Sequence, residues 1–187
     1  MIRLFVAIDL PEALRRQLAS LGGGVPGARW VDADDMHLTL RFIGEVDEGT
    51  ASDIDEALAG LRAPAVEIRV AGVDHFGEGE KPRLLYAAVE RTPPLVHLRD
   101  RVEAAVARAG CPREGRKFAP HVTLARLKGA PAHRVQGFVA AHSLFRAEPF
   151  VADRIVLYSS FLAHEGAIHR AEAEYPLGQG EGPAAWS

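Results

Sequence analysis

A short motif occurs twice in this chain, each time inside an apolar segment. His121-Val122-Thr123-Leu124 repeats His37-Leu38-Thr39-Leu40, which lies 84 positions upstream (121 − 37). Both segments have the composition of β-strands, in which successive side chains alternate between two faces. Each His therefore shares a face with its Thr, while the apolar residues of the motif point into a core. The repeat predicts two strands that each present an imidazole and a hydroxyl to a common cleft.

The rest of the sequence alternates irregularly between strand and helix patterns. Besides the two motif segments, strands are predicted at about 2–9, 65–74, 83–90, 149–160 and 168–175, and helices at about 11–21, 50–61, 94–109 and 132–142. Thr50 and Asp53 resemble a capping box for the second helix. Several strands follow one another as hairpins, which favours an α+β fold with largely antiparallel sheets. We expect one domain over residues 1–178 and a flexible tail, rich in Gly, Pro and Ala, at 179–187.

Composition and charge narrow the classes of protein. The 187 residues are 48% hydrophobic and 25% charged, which is ordinary for a globular chain. The net charge of −3 gives no global basic field for nucleic acid, so an RNA backbone would need a local patch, for which Arg113, Arg116 and Lys117 are candidates. The single cysteine excludes an internal disulfide. No segment resembles a membrane span or a signal peptide, so we expect a cytoplasmic protein. Nothing in the sequence demands more than a monomer.

Two histidines at one cleft suit acid–base chemistry at phosphorus. Histidine titrates near pH 6.5, so a neutral imidazole can take a proton from water while a protonated one gives a proton to the leaving oxygen. Thr hydroxyls and a nearby Arg can bind the non-bridging oxygens, and such a scheme needs no metal or other cofactor. Two other interpretations are open. Either His alone could form only a local hydrogen bond, and paired histidines can bind a metal, although the chain has no His-x-His or His-Glu-x-x-His spacing.

The motifs and their surroundings also resemble a known family, the two-histidine phosphoesterases. Within it, the sequence is similar to the bacterial and archaeal RNA 2′,3′-cyclic phosphodiesterases, formerly described as 2′-5′ RNA ligases. The segments that carry the resemblance are 3–8, 29–31, 37–46, 118–126, 156–160 and 175–177. The resemblance implies two pseudo-symmetric α+β lobes, with antiparallel sheets that flank a central cleft and helices on the outside.

The resemblance also implies an activity and a role for each motif residue. The activity is hydrolysis of a 2′,3′-cyclic phosphate, at an RNA end or on a nucleotide, to a 2′-phosphomonoester. By this resemblance His37 donates the proton to the departing 3′ oxygen, His121 activates water, and Thr39, Thr123 and Arg126 bind the phosphate. A module that binds nucleotides or RNA ends without catalysis, and an RNA-joining enzyme of the 2′-5′ ligase type, are the alternatives.

Four further side chains near the motifs bear on this prediction. Strict alternation puts Arg126 on the opposite face from its motif His, so Arg126 reaches the cleft only through a β-bulge or at the strand end. Arg41 is in phase with the first His and is the alternative phosphate ligand. Phe42 is in phase with the motif leucines, which predicts a core position rather than one that stacks on a base. His169, in the last predicted strand, is interpreted as a surface residue without catalytic meaning.

Overall fold

Ten strands and four α-helices form the part of the chain that this computed structural model describes, which is residues 1–78, 80–164 and 166–178. The strands are β1 (Ile2–Asp9), β2 (Ala28–Trp30), β3 (His37–Val46), β4 (Val66–Ile68), β5 (Val70–Glu78), β6 (Lys81–Val89), β7 (His121–Leu127), β8 (Phe150–Ala152), β9 (Arg154–Ala163) and β10 (Gly166–Pro176). The helices are α1 (Glu12–Ala19), α2 (Glu48–Ala59), α3 (Pro93–Arg108) and α4 (Ala132–Ala141). The predicted tail at 179–187 lies outside the described residues.

Two four-stranded antiparallel sheets are the centre of the molecule. The first has the strand order β10-β9-β1-β3, and the second has the order β2-β7-β6-β5. A small antiparallel pair, β4 with β8, completes the strands. Helices α2 and α3 pack against the first sheet, and α4 packs against the second. The prediction of an α+β fold with two pseudo-symmetric lobes is confirmed, and each lobe contains one of the motif strands.

The two motif strands alternate as predicted over their first four residues. Leu38 and Leu40 in β3 are buried in the core, as are Val122 and Leu124 in β7. The His and Thr residues of both motifs are only partly buried, because they face away from that core. Burial of the apolar residues therefore fixes the direction in which the polar ones point.

A β-bulge interrupts each motif strand at its fourth residue. The register of β3 against β1 skips Leu40, and the register of β7 against β6 skips Leu124. An extra residue in one strand reverses the face on which the following side chains lie. In both strands, the residue after the skipped Leu stays on the buried face and the next one turns to the opposite side.

The structure differs from the predicted elements at one helix end and at three strands. Helix α2 begins at Glu48, and its cap is Asp47, whose Oδ1 accepts a hydrogen bond from the Thr50 amide at 2.7 Å, so the predicted capping box is wrong. The strands expected at 65–74 and 149–160 are each divided, the first into β4 and β5 and the second into β8 and β9. The short strand β2 was not predicted. None of the helices within the described residues is long and apolar enough to cross a membrane.

Candidate active site

A cleft of about 570 Å³ lies between the two sheets and contains both motifs. The five residues predicted for the site all line this cleft: His37, Thr39, His121, Thr123 and Arg126. The first two come from β3 and the other three from β7, so each lobe supplies one imidazole and one hydroxyl. The structure thus brings together side chains that lie far apart in the sequence.

Two aromatic rings hold His37 in the first lobe. The Phe5 ring is stacked on it with the centroids 4.8 Å apart, and the Tyr158 ring lies at 5.8 Å on a nearly parallel plane. The imidazole also forms a hydrogen bond with the backbone of Asp35. These contacts restrict the ring and leave it facing the cleft.

The second lobe repeats this arrangement around His121. Phe76 meets the His121 ring nearly at a right angle at 4.9 Å, and Tyr86 lies at 5.3 Å. The Nδ1 atom of His121 is 2.8 Å from the backbone oxygen of Ala119, which fixes Nδ1 as the protonated nitrogen of the neutral ring. The Nε2 atom is therefore the one that can accept a proton.

Burial lowers the pKa of both imidazoles. For His37 the pKa falls to about 4, chiefly because the ring is removed from water, and because the positive charges of His169, Arg126 and His121 oppose a further one. For His121 burial is also the main cause of the lowered pKa, and the hydrogen bond to Ala119 partly offsets it. Both rings are therefore neutral near pH 7 in the protein alone.

Arg126 reaches the cleft through the β-bulge in β7. Without the bulge, strict alternation would place it on the opposite face of the strand. The bulge leaves Ala125 fully buried and turns Arg126 to the face of His121 and Thr123. Its charge lowers the pKa of His37, which belongs to the other lobe. The guanidinium therefore acts on both halves of the site.

The structure contradicts the alternative assignment of Arg41 to phosphate. The equivalent bulge in β3 turns this residue into the core, where it is only 7% exposed. Its Nη1 atom lies 2.8 Å and 2.9 Å from the two carboxylate oxygens of Glu103 on α3, and Nη2 donates to the backbone oxygen of Pro112. Arg41 is a structural residue that does not line the cleft.

The core position expected for Phe42 is also wrong. The same bulge turns this ring outward, so that it is 60% exposed and lines the cleft. Phe42 occupies the position in β3 that Arg126 occupies in β7. The two lobes therefore present an aromatic ring and a guanidinium at equivalent points.

His169 is part of the cleft wall, contrary to its interpretation as an uninvolved surface residue. It pairs with Ser160 of β9, and its ring centroid is 5.2 Å from that of His37. Sequence reasoning missed this contact because it depends on β9 and β1 lying between β10 and β3.

Two more arginines line the cleft and were assigned no role from the sequence. They are Arg3 on β1 and Arg29 on β2, and both lie in segments that carry the family resemblance. The exposed loop residues Arg113, Arg116 and Lys117, the predicted basic patch, are not among the residues that line the cleft. The positive charge of the site therefore comes from arginines that line the cleft and not from the basic loop.

Metal-ligating residues do not cluster in the described part of the chain. Within residues 1–78, 80–164 and 166–178, no group of three or more His, Cys, Asp or Glu side chains could hold a metal ion.

Two antiparallel lobes that each carry a His-x-Thr strand to a shared cleft define the two-histidine phosphoesterase class. The family model described as the 2′-5′ RNA ligase superfamily matches residues 7–160, and the chain belongs to this superfamily. The family resemblance stated from the sequence is confirmed.

Relatives support this membership over most of the chain. The RNA 2′,3′-cyclic phosphodiesterase of Thermotoga maritima is 33% identical over 175 residues, which cover 90% of this chain and 92% of the relative. The protein of the same name from Escherichia coli K12 is 32% identical over 128 residues, covering 66% and 71%. Among solved structures, E. coli LigT complexed with 3′-AMP is 27% identical with a TM-score of 0.74, covering 95% of this chain and 99% of that one. A protein of Thermus thermophilus is 25% identical with a TM-score of 0.77, covering 93% and 97%.

Proposed function

We propose that this chain hydrolyses 2′,3′-cyclic phosphates, at RNA ends or on nucleotides, to 2′-phosphomonoesters. The observation that carries the proposal is the meeting of two His-x-Thr strands and Arg126 at one cleft. The names of the relatives from T. maritima and E. coli support the same substrate class. We further propose that the enzyme acts as a monomer, because one chain supplies both histidines. We also propose that it is cytoplasmic.

The two imidazoles divide the proton transfers. Water attacks phosphorus while the neutral His121 accepts its proton, and the bond from phosphorus to the 3′ oxygen breaks as His37 donates a proton to that oxygen. A new phosphorus–oxygen bond replaces the broken one, so the products are a free 3′ hydroxyl and a 2′-phosphomonoester. His37 and His121 end with exchanged protonation states, and solvent restores them.

Thr39, Thr123 and Arg126 hold the phosphate between the histidines. Each hydroxyl can donate a hydrogen bond to a non-bridging oxygen, and the guanidinium supplies charge-assisted donors. Because negative charge builds on these oxygens during displacement, donors fixed in advance lower the barrier. This scheme requires no metal.

The phosphate also prepares His37 as a proton donor. In the protein alone the pKa of His37 is about 4, so the ring is neutral at pH 7. An anion bound beside Arg126 adds negative charge next to the imidazole and raises this pKa. We therefore propose that His37 gains its proton when the substrate binds.

The nucleoside lies towards the first lobe. Phe42 offers an exposed ring inside the cleft, and base–aromatic stacking tolerates any base. The guanidinium at the equivalent position of the second lobe takes the phosphate, so the two ends of the substrate have distinct sites.

Turnover of a 2′,3′-cyclic nucleotide tests the proposal. Wild-type protein is expected to release the 2′-phosphomonoester isomer with or without EDTA, whereas His37→Ala and His121→Ala lose turnover and keep the native circular dichroism spectrum. His133→Ala, which removes an exposed imidazole on α4, is the matched control and keeps full activity. Near-normal hydrolysis by either cleft variant would overturn the assignment.

Two additional measurements separate the alternatives. Binding of a 2′-phosphorylated nucleotide without any opening of the cyclic phosphate would indicate a binding module. Joining of a cyclic-phosphate end to an added RNA 5′ hydroxyl would indicate a ligase, in which that hydroxyl replaces water.

A further inference from the structure

A third imidazole lies inside the cleft, against the proposed proton donor. The ring of His169 is 5.2 Å from that of His37 with an interplanar angle of 75°, and it meets Phe5 at 5.1 Å and 76°. Phe5 is itself stacked on His37. The three rings therefore form one packed group, with strand β10 supplying the third member.

The charges around this group come from several elements. The pKa of His169 is lowered, chiefly by burial and further by the charge of Arg126 on β7, while the carboxylate of Asp35, just before β3, partly offsets this. The Nδ1 atom of His169 is buried, and no group among the described residues hydrogen-bonds it. Because both nitrogens of a protonated imidazole carry an N–H, burial of this one without an acceptor favours the neutral ring.

His37 is faced by further titratable groups. Tyr158 packs on it from β9, and its pKa is raised by burial, so the phenol is neutral over the working range. Asp9 of β1 pairs with His37 in register, but its carboxylate is bound by Arg154 at 2.6 Å and 3.2 Å. The charge of His121, from the opposite side of the cleft, also lowers the pKa of His37. After burial, the strongest influence against protonation of His37 is the positive charge that His169 carries once it is protonated.

We propose that His169 is a positioning residue for His37, whose ring packs against the proton donor and whose positive charge, once acquired, opposes protonation of that donor. The consequence for catalysis rests on the proposed function, but the effect on His37 does not. Where His169 is protonated, its charge makes the protonated His37 a stronger acid, which favours transfer of the His37 proton to the leaving oxygen. The bound phosphate offsets the combined charge of the two rings.

Titration of the His37 ring by NMR tests the electrostatic part without any substrate. His169→Phe keeps an aromatic ring against His37 and removes the titrating group, so the midpoint of His37 is expected to rise by roughly one pH unit, the size expected for one charge at about 5 Å in a partly hydrated cleft. His133→Phe removes an exposed imidazole of α4 and leaves this midpoint unchanged. An unchanged midpoint in His169→Phe would overturn the proposal.

A second variant separates charge from hydrogen bonding. His169→Gln keeps a polar side chain that cannot become positive, so it is expected to shift the His37 midpoint in the same direction as His169→Phe. The corresponding limb of the pH profile of kcat/KM moves with it in both variants. A wild-type midpoint and profile in His169→Gln would show that a neutral hydrogen bond acts, and the proposal would be wrong. If wild-type protein lacked turnover while the NMR shift was present, the proposed function would fail and the role of His169 would stand.

Discussion

At the scale of single residues, Arg126 and Phe42 break the pseudo-symmetry of the site. Both follow a β-bulge at the same point of their strands and both face the cleft, yet one carries a charge and the other an aromatic ring. Both lobes share a His, a Thr and two flanking aromatic rings, so this difference helps to give the cleft a direction. A substrate with a phosphate at one end and a base at the other can then bind in one orientation.

Removal of the Arg126 guanidinium should therefore impair phosphate binding and turnover. We expect Arg126→Ala to lower kcat/KM for a 2′,3′-cyclic nucleotide by about 100-fold, the typical effect of losing one fixed donor to a developing anion. Arg126→Lys keeps the charge but loses the planar guanidinium with its paired donors. Its activity should therefore fall between those of the wild type and Arg126→Ala. Arg146→Ala, at an exposed position outside the cleft, controls for the change in net charge. Wild-type kinetics in Arg126→Ala would contradict this role.

At the scale of elements, the sequence predicts the side-chain directions before the bulges in β3 and β7 but not those after them. The strands around His37 and His121 and their His/Thr face follow from local composition and alternation. The bulges depend on how β1 and β6 pair with these strands, which a periodic pattern cannot reveal. For this reason the outward position of Phe42 and the buried position of Arg41 were both misassigned. Arg126 faces the cleft as predicted, because the prediction allowed for a β-bulge in its strand.

The buried ion pair created by the first bulge should matter for stability. Arg41 and Glu103 are 7% and 3% exposed and connect β3 to α3. Removing one partner leaves a buried charge without compensation, so Glu103→Gln is expected to lower the free energy of unfolding in urea by about 3–5 kcal/mol. The double variant Arg41→Met/Glu103→Leu should recover much of this loss, because it leaves no unpaired charge.

An exposed ion pair provides the matched control for this measurement. Arg69 and Glu67 are joined at 2.7 Å, but their side chains are about half exposed, at 52% and 51%. Glu67→Gln should change the free energy of unfolding by less than ~1 kcal/mol, because solvent screens such pairs. Equal losses in Glu103→Gln and Glu67→Gln would contradict the structural role of the buried pair.

At the scale of the whole molecule, the order of strands in the first sheet determines the site. His169 reaches His37 because β9 and β1 lie between their strands and the rings project over that face. No local signal in the sequence indicates this contact, since it depends on long-range pairing. The same assembly buries His37 as a neutral ring, which links the function of the cleft to the stability of the fold.

The sign of this link follows from the lowered pKa of His37. The ring titrates at about 4 in the folded protein and near 6.5 when unfolded, so between these values the unfolded chain binds more protons. Stability is therefore lost as the pH falls from about 6.5 to 4, by up to about 3 kcal/mol from this residue alone. Above pH 6.5 the ring is neutral in both states and contributes no pH dependence.

A variant without this imidazole should resist acid better than the wild type. We expect His37→Gln to lose less free energy of unfolding between pH 7 and pH 4.5, measured in urea at each pH, because it has no ring that is forced to stay neutral. His133→Gln, which removes an exposed imidazole of α4, should follow the wild-type curve. A wild-type dependence on pH in His37→Gln would mean that His37 does not remain neutral in the folded cleft. In that case the cleft would not lower the pKa of His37, and a smaller rise on binding of the substrate phosphate would protonate the ring near pH 7.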